Sequence, residues 1–187
     1  YDDAGNLKTV TAGSSSGTAE YDAVGNLISF SQSVSGLSDG TTMSNSYTYE
    51  NDKVKTISHN GFTYEFEYDV WGNQTKAKIG TRVLSDNTYG IEEHKNRLST
   101  TTFANGQTVS YTYDEDDNIT AVSHNGVARY SYIYDEDGIL QSVTDNLSGL
   151  KTVYTENGTQ IRKIADNSVL FSVSGDENGN EIHNIGG

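Results

Sequence analysis

Short runs of alternating apolar and polar residues recur along the chain. Residues 62–68 read Phe-Thr-Tyr-Glu-Phe-Glu-Tyr, and residues 130–134 read Tyr-Ser-Tyr-Ile-Tyr. Because successive side chains of a strand point to opposite faces, the aromatic residues of each run share one face. The pattern therefore predicts short strands with one apolar face and one polar face.

Two kinds of turn signal separate these runs. One is an Asp followed by two variable residues, Gly and Asn. Asp can accept hydrogen bonds from its own backbone, and Gly and Asn tolerate positive φ, so we expect the chain to reverse there. The other is Asn-Gly, at residues 60–61 and 125–126. Asn-Gly between alternating runs is the strongest short-range signal for a hairpin.

The first turn belongs to a repeated motif, Tyr-Asp-x-x-Gly-Asn-Leu. The residues that carry its closer copies are Tyr1, Asp2, Gly5, Asn6, Leu7, Tyr21, Asp22, Gly25, Asn26, Leu27, Tyr68, Asp69, Gly72, Asn73, Tyr113, Asp114, Asn118, Tyr134, Asp135 and Gly138. A looser copy at Tyr154 lacks the aspartate, degenerate copies begin near residues 49 and 89, and the copy at Gly175 lacks only the tyrosine. Copies at 1, 21, 49, 68, 89, 113, 134, 154 and 175 are separated by 20, 28, 19, 21, 24, 21, 20 and 21 residues. The period is therefore about 20 to 21 residues.

An apolar pair three residues apart follows most of the turns. The pairs are Leu7 and Val10, Leu27 and Phe30, Val54 and Ile57, Ile119 and Val122, and Leu140 and Val143. In a regular strand, residues three apart face opposite sides of the sheet. The return strand is therefore either bulged or covered on both faces, and the pattern leaves both alternatives open.

The repeats predict an all-β fold. Residues 1–187 are interpreted as a single array of about nine units with two strands each, or on the order of eighteen antiparallel strands. Open sheets seldom exceed about ten strands without curling, so we expect tandem hairpin repeats in a curved, spiralling sheet, a partial β-shell or solenoid. Tyrosine stacks across neighbouring strands would stabilise it. Ser- and Gly-rich residues 33–46 and 13–17 are predicted to be surface loops.

Composition narrows the classes of function. Only 33% of the 187 residues are hydrophobic, as a sheet with one wet face would require. Without cysteine there is no disulfide scaffold, thiolate metal site or cysteine nucleophile. No apolar run approaches the roughly 18 residues of a membrane span. The formal charge of −14 argues against nucleic acid and anionic membranes as partners. A chain that begins with Tyr1 is expected to be processed or cut from a longer protein.

The Tyr-Asp-x-x-Gly-Asn-Leu copies at Tyr1, Tyr21 and Tyr68 and the relaxed copies at Tyr113 and Tyr134 resemble the YD repeats of the rearrangement-hotspot (RHS) family. The family includes bacterial polymorphic toxins, wall-associated proteins, shell subunits of insecticidal toxin complexes and teneurins. The resemblance implies a β-sheet that spirals into a hollow shell around a variable C-terminal segment. Family members often end in a core motif with paired aspartates, and the C-terminal residues 184–187 do not resemble it. Neither self-cleavage nor toxin activity is therefore assigned.

The sequence offers only weak candidates for metal-binding or catalytic residues. His59 and His124 occupy the same turn position, but their repeats are about three units apart, so we interpret them as turn residues rather than metal ligands. The acidic residues 114–117 and 135–137 look like calcium loops but lack the twelve-residue pattern that ends in a bidentate Glu. No serine lies in a Gly-x-Ser-x-Gly elbow. Catalytic residues, cofactors and metal sites are therefore all expected to be absent.

The predicted function is a non-enzymatic wall segment of a secreted or cell-surface protein, enclosing a C-terminal toxin or cargo domain. The alternative is an aromatic-repeat module that binds carbohydrate or cell wall, since tyrosine and tryptophan rings can stack on sugars. Trp71 stands at a variable turn position and is the aromatic residue to test first for such a contact. A hydrolase would need a reactive group that the sequence does not show.

The expected partners are the remaining repeats and the C-terminal domain of the same parent chain. The first and last strands of an isolated array would be unpaired edges, so self-association through them is also predicted. A glycan is a further possible partner, whereas membrane insertion is not expected.

Overall fold

The computed structural model describes residues 1–34, 42–176 and 178–186, without the side chain of Glu92. Over these residues the chain forms seventeen β-strands and one 3-10 helix, Glu92–His94, against the eighteen strands expected. Each described pairing is antiparallel and joins strands that are consecutive in the chain. No helical segment within the described residues has the length and apolar character needed to cross a membrane.

The chain divides into two units, residues 1–87 and residues 88–187. The first unit is an antiparallel meander in which each strand pairs with the next. Its strands are β1 Thr9–Ala12, β2 Ser15–Tyr21, β3 Leu27–Val34, β4 Thr42–Glu50, β5 Lys53–His59, β6 Phe62–Tyr68, β7 Gln74–Ile79 and β8 Arg82–Tyr89, the last of which runs into the second unit.

The second unit is a meander of the same kind. Its strands are β9 Leu98–Phe103, β10 Thr108–Tyr113, β11 Ile119–His124, β12 Val127–Tyr134, β13 Leu140–Asp145, β14 Leu150–Thr155, β15 Gly158–Lys163, β16 Val169–Gly175 and β17 Glu181–Ile185. In both units a Tyr-Asp motif lies where one strand ends and the next begins.

A register shift at the motif tyrosine decides between the two alternatives for the return strand. In the β2–β3 hairpin Tyr21 lies opposite Leu27, whereas its neighbour Glu20 lies opposite Ser29. Ile28 is therefore the extra residue of a β-bulge. The same shift occurs at four other tyrosines, Tyr49, Tyr68, Tyr113 and Tyr134.

The bulge explains why apolar residues recur three apart. Phe30 lies opposite Ala19, and Leu27 lies opposite Tyr21. Ala19 and Tyr21 are two apart in one strand and share a face, and directly opposite residues share a face as well. Leu27 and Phe30 therefore lie on the same face as Tyr21. The return strand is bulged, and it does not need cover on both faces.

The expected tyrosine stacks are wrong in detail, because no described strand tyrosine lies directly opposite another tyrosine, and several lie opposite β-branched residues. Ile57 lies opposite both Tyr47 and Tyr64. Val122 likewise lies opposite both Tyr111 and Tyr130. Aromatic and β-branched residues directly opposite one another contribute roughly 0.2–1 kcal/mol per pair. The apolar face is thus a mosaic of rings and branched aliphatic side chains.

Burial is shallow throughout the described residues. Among the described residues, Ala19 is the buried hydrophobic residue, and Thr101 and Ser142 are the buried polar ones. No large side chain in the described part of the chain is fully buried. The described residues therefore do not form a compact core of large buried side chains.

The predicted Asn-Gly hairpins are confirmed, and the predicted loops are partly wrong. Asn60 and Gly61 have φ angles of 48° and 82°, the two positive values of a type I′ turn. The loop expected at residues 13–17 shrinks to a turn at 13–14, because Ser15–Tyr21 is a strand. Of the loop expected at 33–46, both ends belong to β3 and β4, and residues 35–41 lie outside the described residues.

Replacing Gly25 with alanine should destabilise the fold through the backbone alone. Gly25 has φ of +93°, and a Cβ built there would meet nothing within 4 Å. A side chain in this left-handed conformation costs roughly 1–2 kcal/mol. Gly175→Ala is the matched control, because that site is equally open and has no positive φ. Urea denaturation should show a lower free energy of unfolding for G25A and almost no change for G175A. Equal decreases in the two variants would contradict the role of the positive φ.

Candidate functional site

The aspartate of the repeat closes its turn by accepting three hydrogen bonds. Asp22 Oδ1 accepts the backbone N–H groups of Val24 at 3.0 Å and Asn26 at 2.8 Å. Its Oδ2 accepts the side-chain amide of Asn26 at 2.9 Å. The backbone N–H of Asp22 donates to the carbonyl of Asn26, and that of Gly25 donates to the carbonyl of Asp22. This is a three-residue hairpin loop with a type I turn and a glycine in the left-handed region.

The same network recurs at other copies of the motif. The three bonds to the carboxylate are repeated at Asp2, Asp69, Asp114 and Asp176. At Asp135, which lacks the Asn, the side-chain amide of Gln141 donates to Oδ2 instead, at 2.7 Å. The turn therefore tolerates exchange of the amide residue but keeps the aspartate.

Two departures show which positions the turn needs. Asp117 takes the place of the motif glycine and has φ of 69°. Gly175 takes the place of the tyrosine, and the turn at Asp176 forms nevertheless. The motif turn thus forms without the glycine or without the tyrosine, provided that a residue at the glycine position takes the left-handed conformation. The tyrosine has a different task.

The motif tyrosine fastens each hairpin to the strand before it. The hydroxyl of Tyr68 donates to the backbone carbonyl of Val54 at 2.8 Å, and that of Tyr113 donates to Leu98 at 2.8 Å. Equivalent bonds join Tyr21 to Leu7, Tyr49 to Leu27 and Tyr134 to Ile119. Each acceptor stands where the preceding repeat leaves its turn. These bonds span 14 to 22 residues, whereas the aspartate bonds stay within one turn.

The network changes the acidity of its members. The side-chain amide and the backbone N–H of Asn26 hold the pKa of Asp22 below its ordinary value of 3.8. The corresponding bonds from Asn6 lower the pKa of Asp2. At Asp69 burial is the largest effect and raises the pKa, but the hydrogen bonds from Asn73 and Trp71 together outweigh it. Burial raises the pKa of the hydroxyl of Tyr68.

The structure distributes the predicted residues along the sheet instead of gathering them in one centre. Tyr1 is 84% exposed and precedes the first strand. His59 bonds Asn45 and Asn60 at its own hairpin, and His124 lies on β11 of the second unit. Within residues 1–34, 42–176 and 178–186 there is no group of three or more His, Asp or Glu side chains that could hold a metal ion.

Sequence reasoning missed two features of this network. The acceptor of each tyrosine hydroxyl is a backbone carbonyl of another repeat, and no residue type marks it. A further turn of the same backbone form runs from Phe103 to Gln107, without the Tyr-Asp pair. Its signal was the Asn-Gly at residues 105–106, where the Asn105 side chain accepts the N–H of Gln107 at 3.0 Å.

Comparison with protein families identifies the repeat. The family model described as Teneurin YD-shell matches residues 74–180, more than half of the chain. The chain belongs to the Teneurin YD-shell family. The resemblance to YD repeats inferred from the motif is thereby confirmed, and the role of a YD-shell segment is structural. No curated protein is matched by the chain.

Solved structures share the YD-shell fold. In "Crystal Structure of TcdB2-TccC3 without hypervariable C-terminal region" the match has a TM-score of 0.69 at 15% identity, over 97% of this chain and 11% of that one. In "Crystal Structure of TcdB2-TccC3-Cdc42" the TM-score is 0.60 at 15% identity, over 90% of this chain and 10% of that one. The chain thus spans about a tenth of the chains it matches. At this identity the likeness shows the fold, and it confirms the predicted all-β hairpin repeats.

Removing one tyrosine hydroxyl should weaken the fold measurably. In Tyr68→Phe the carbonyl of Val54 loses its 2.8 Å donor while the ring remains. A lost hydrogen bond of this kind costs about 0.5–1.5 kcal/mol. Urea denaturation followed by circular dichroism measures the free energy of unfolding. Tyr64→Phe is the control, because Tyr64 lies in the same strand and its hydroxyl bonds nothing in the described part of the chain. Equal losses in the two variants would contradict the bridging role.

Acid should weaken the fold through the turn aspartates. Because the pKa of Asp22 is lowered in the folded chain, the unfolded chain binds more protons near the ordinary pKa of 3.8. The stabilisation is therefore present above that pH and is lost as the pH falls through the folded pKa.

The free energy of unfolding should be measured in urea from about pH 6 down to about pH 3. Asp22→Asn should reduce the acid dependence relative to the parent chain. Asp3→Asn is the control, because the Asp3 side chain accepts no hydrogen bond among the described residues. An acid dependence that is unchanged in Asp22→Asn would refute the assignment.

Proposed function

We propose that the chain is a non-enzymatic section of shell wall that encloses a C-terminal segment of its own parent protein. The observation that carries the proposal is the tyrosine bridge, which fastens five hairpins to the strand before them. A sheet built this way grows by adding units, as repeat proteins do. Such construction suits an extended wall better than a compact catalytic domain.

The chemistry of the described residues supports a non-enzymatic role. In most motif aspartates both carboxylate oxygens accept hydrogen bonds from N–H groups of their own turn, so these aspartates are poorly placed as catalytic bases. One related structure is titled as lacking a hypervariable C-terminal region, which supports an arrangement of wall followed by a variable segment. Because the chain belongs to the Teneurin YD-shell family, we also propose an extracellular or secreted location. Self-association through edge strands such as β17 remains a prediction.

Enclosure can be tested by protease protection in the parent protein. If the wall encloses the C-terminal segment, that segment should be cleaved at least about tenfold more slowly while the wall is folded. A variant in which Tyr68, Tyr113 and Tyr134 are all phenylalanine should lose this protection at lower urea concentrations. Tyr64→Phe serves as the control that leaves the bridges intact. Equal cleavage of the segment with the wall folded or opened would overturn the proposal.

A further inference from the structure

A pocket opens in the first unit between two neighbouring turns. One turn joins β4 to β5 at residues 51–52, and the other joins β6 to β7 and carries Trp71. The cavity volume is 620 Å³. Small-molecule sites commonly have about 300–1,000 Å³. The space between these turns is therefore large enough for a ligand of one or two rings.

The turn itself does not require Trp71. The same motif position is held by Ala4, Val24, Asp116 and Asp137 in other repeats, and those turns form equivalent networks. Trp71 is 53% exposed, and its neighbour Val70 is 90% exposed. An indole offers a flat apolar surface together with an N–H donor, the combination that stacks on ring ligands with polar edges.

A lysine without a carboxylate partner lies in the same pocket. Of four lysines on β5 and β7, Lys55 pairs with Glu50, and Lys76 and Lys78 pair with carboxylates of the neighbouring strands. Lys53 forms no ion pair within the described residues. Its ammonium nitrogen lies 5.6 Å from the centre of the Tyr68 ring, and its chain passes so close to Gly72 that a Cβ there would be 2.5 Å from it.

The carboxylates of the pocket wall are already bonded. Glu50 lies 2.9 Å from Lys55, and Glu67 is bonded to Lys78. Asp69 accepts the backbone N–H groups of its own turn. Lys53 is therefore the lysine of the pocket to which an anionic ligand could bind without displacing a protein carboxylate. The ammonium group of Lys53 can donate charge-assisted hydrogen bonds to an anionic group, and such bonds favour a ligand that carries a carboxylate.

We propose that this pocket binds a carboxylated sugar, a uronic acid unit of an oligosaccharide. The apolar face of the pyranose ring lies against Trp71, and its carboxylate accepts hydrogen bonds from the ammonium group of Lys53. Asn51 and Thr75 line the same cavity and supply polar groups for the ring hydroxyls. This binding role goes beyond the wall function and does not depend on it.

Trp71 is the one tryptophan of the chain, so its fluorescence reports on its own pocket. The chain is titrated with trigalacturonic acid and with the methyl ester of the same trisaccharide. The expected result is a saturable change in emission, with tighter binding of the acid. Calorimetry gives the affinities of the variants. Lys53→Gln should weaken binding of the acid about tenfold or more and leave the ester almost unchanged.

The matched control for Trp71→Ala is Val24→Ala, which changes the same motif position in another turn. Trp71→Ala should abolish binding, and Val24→Ala should leave binding intact. If the Trp71→Ala chain does not fold, Trp71→Phe is used in its place and should weaken binding. Urea denaturation establishes that each variant is folded. No saturable binding of either sugar, or binding that survives Trp71→Ala, would overturn the site. Equal affinity for acid and ester, insensitive to Lys53→Gln, would overturn the carboxylate assignment.

Discussion

One unpaired residue beside the motif tyrosine sets the geometry of most motif hairpins. In the hairpins of Tyr21, Tyr68, Tyr113 and Tyr134, the aspartate closes a three-residue loop, and the strand after that loop carries one residue more than the strand it pairs with. Ile28 is that residue in the β2–β3 hairpin. Without the bulge, Leu27 would share a face with Tyr21 and Phe30 would point away from it. With it, the apolar residues on both sides of the turn form one continuous face, and the tyrosine at the strand end lies next to the strand that it bonds.

This geometry allows a stable sheet with little core. No large side chain of the described residues is fully buried, and hydrophobic residues make up only 33% of the chain. Stability then has to come from many small contributions between neighbouring strands: ladder hydrogen bonds, rings opposite β-branched residues, and tyrosine bridges. Each is worth on the order of 1 kcal/mol or less. Because each one is short in range, the same sequence motif must be present in nearly every unit.

Local features were predictable from the sequence, and features that depend on pairing were not. The turns at Asp22 and Asn60 follow from residues within five positions, so the motif was sufficient. The choice between bulge and two-sided cover depends on register across strands, which the pattern Leu27 to Phe30 leaves open. The prediction of a loop at residues 13–17 was wrong for the same reason, because pairing across strands is not visible in the local sequence. Gly17 reads as a loop residue, but it lies in a strand, where a Cβ would be 3.3 Å from Val10 and 3.4 Å from Phe30.

A repeated turn also makes its exceptions informative, because the other copies show what the turn requires. Asp117 is such an exception: Asp tolerates the left-handed conformation better than most residues, and its carboxylate pairs with Arg97, whose guanidinium lies 5.5 Å from the ring of Tyr113. This ion pair joins the chain before β9 to the turn that follows β10. Trp71 is an exception of another kind, since it stands half exposed in the wall of a cavity and the turn network forms equally well around Val24. The side chain at this motif position varies between repeats while the aspartate network stays the same, so it can take part in recognition without loss of the turn.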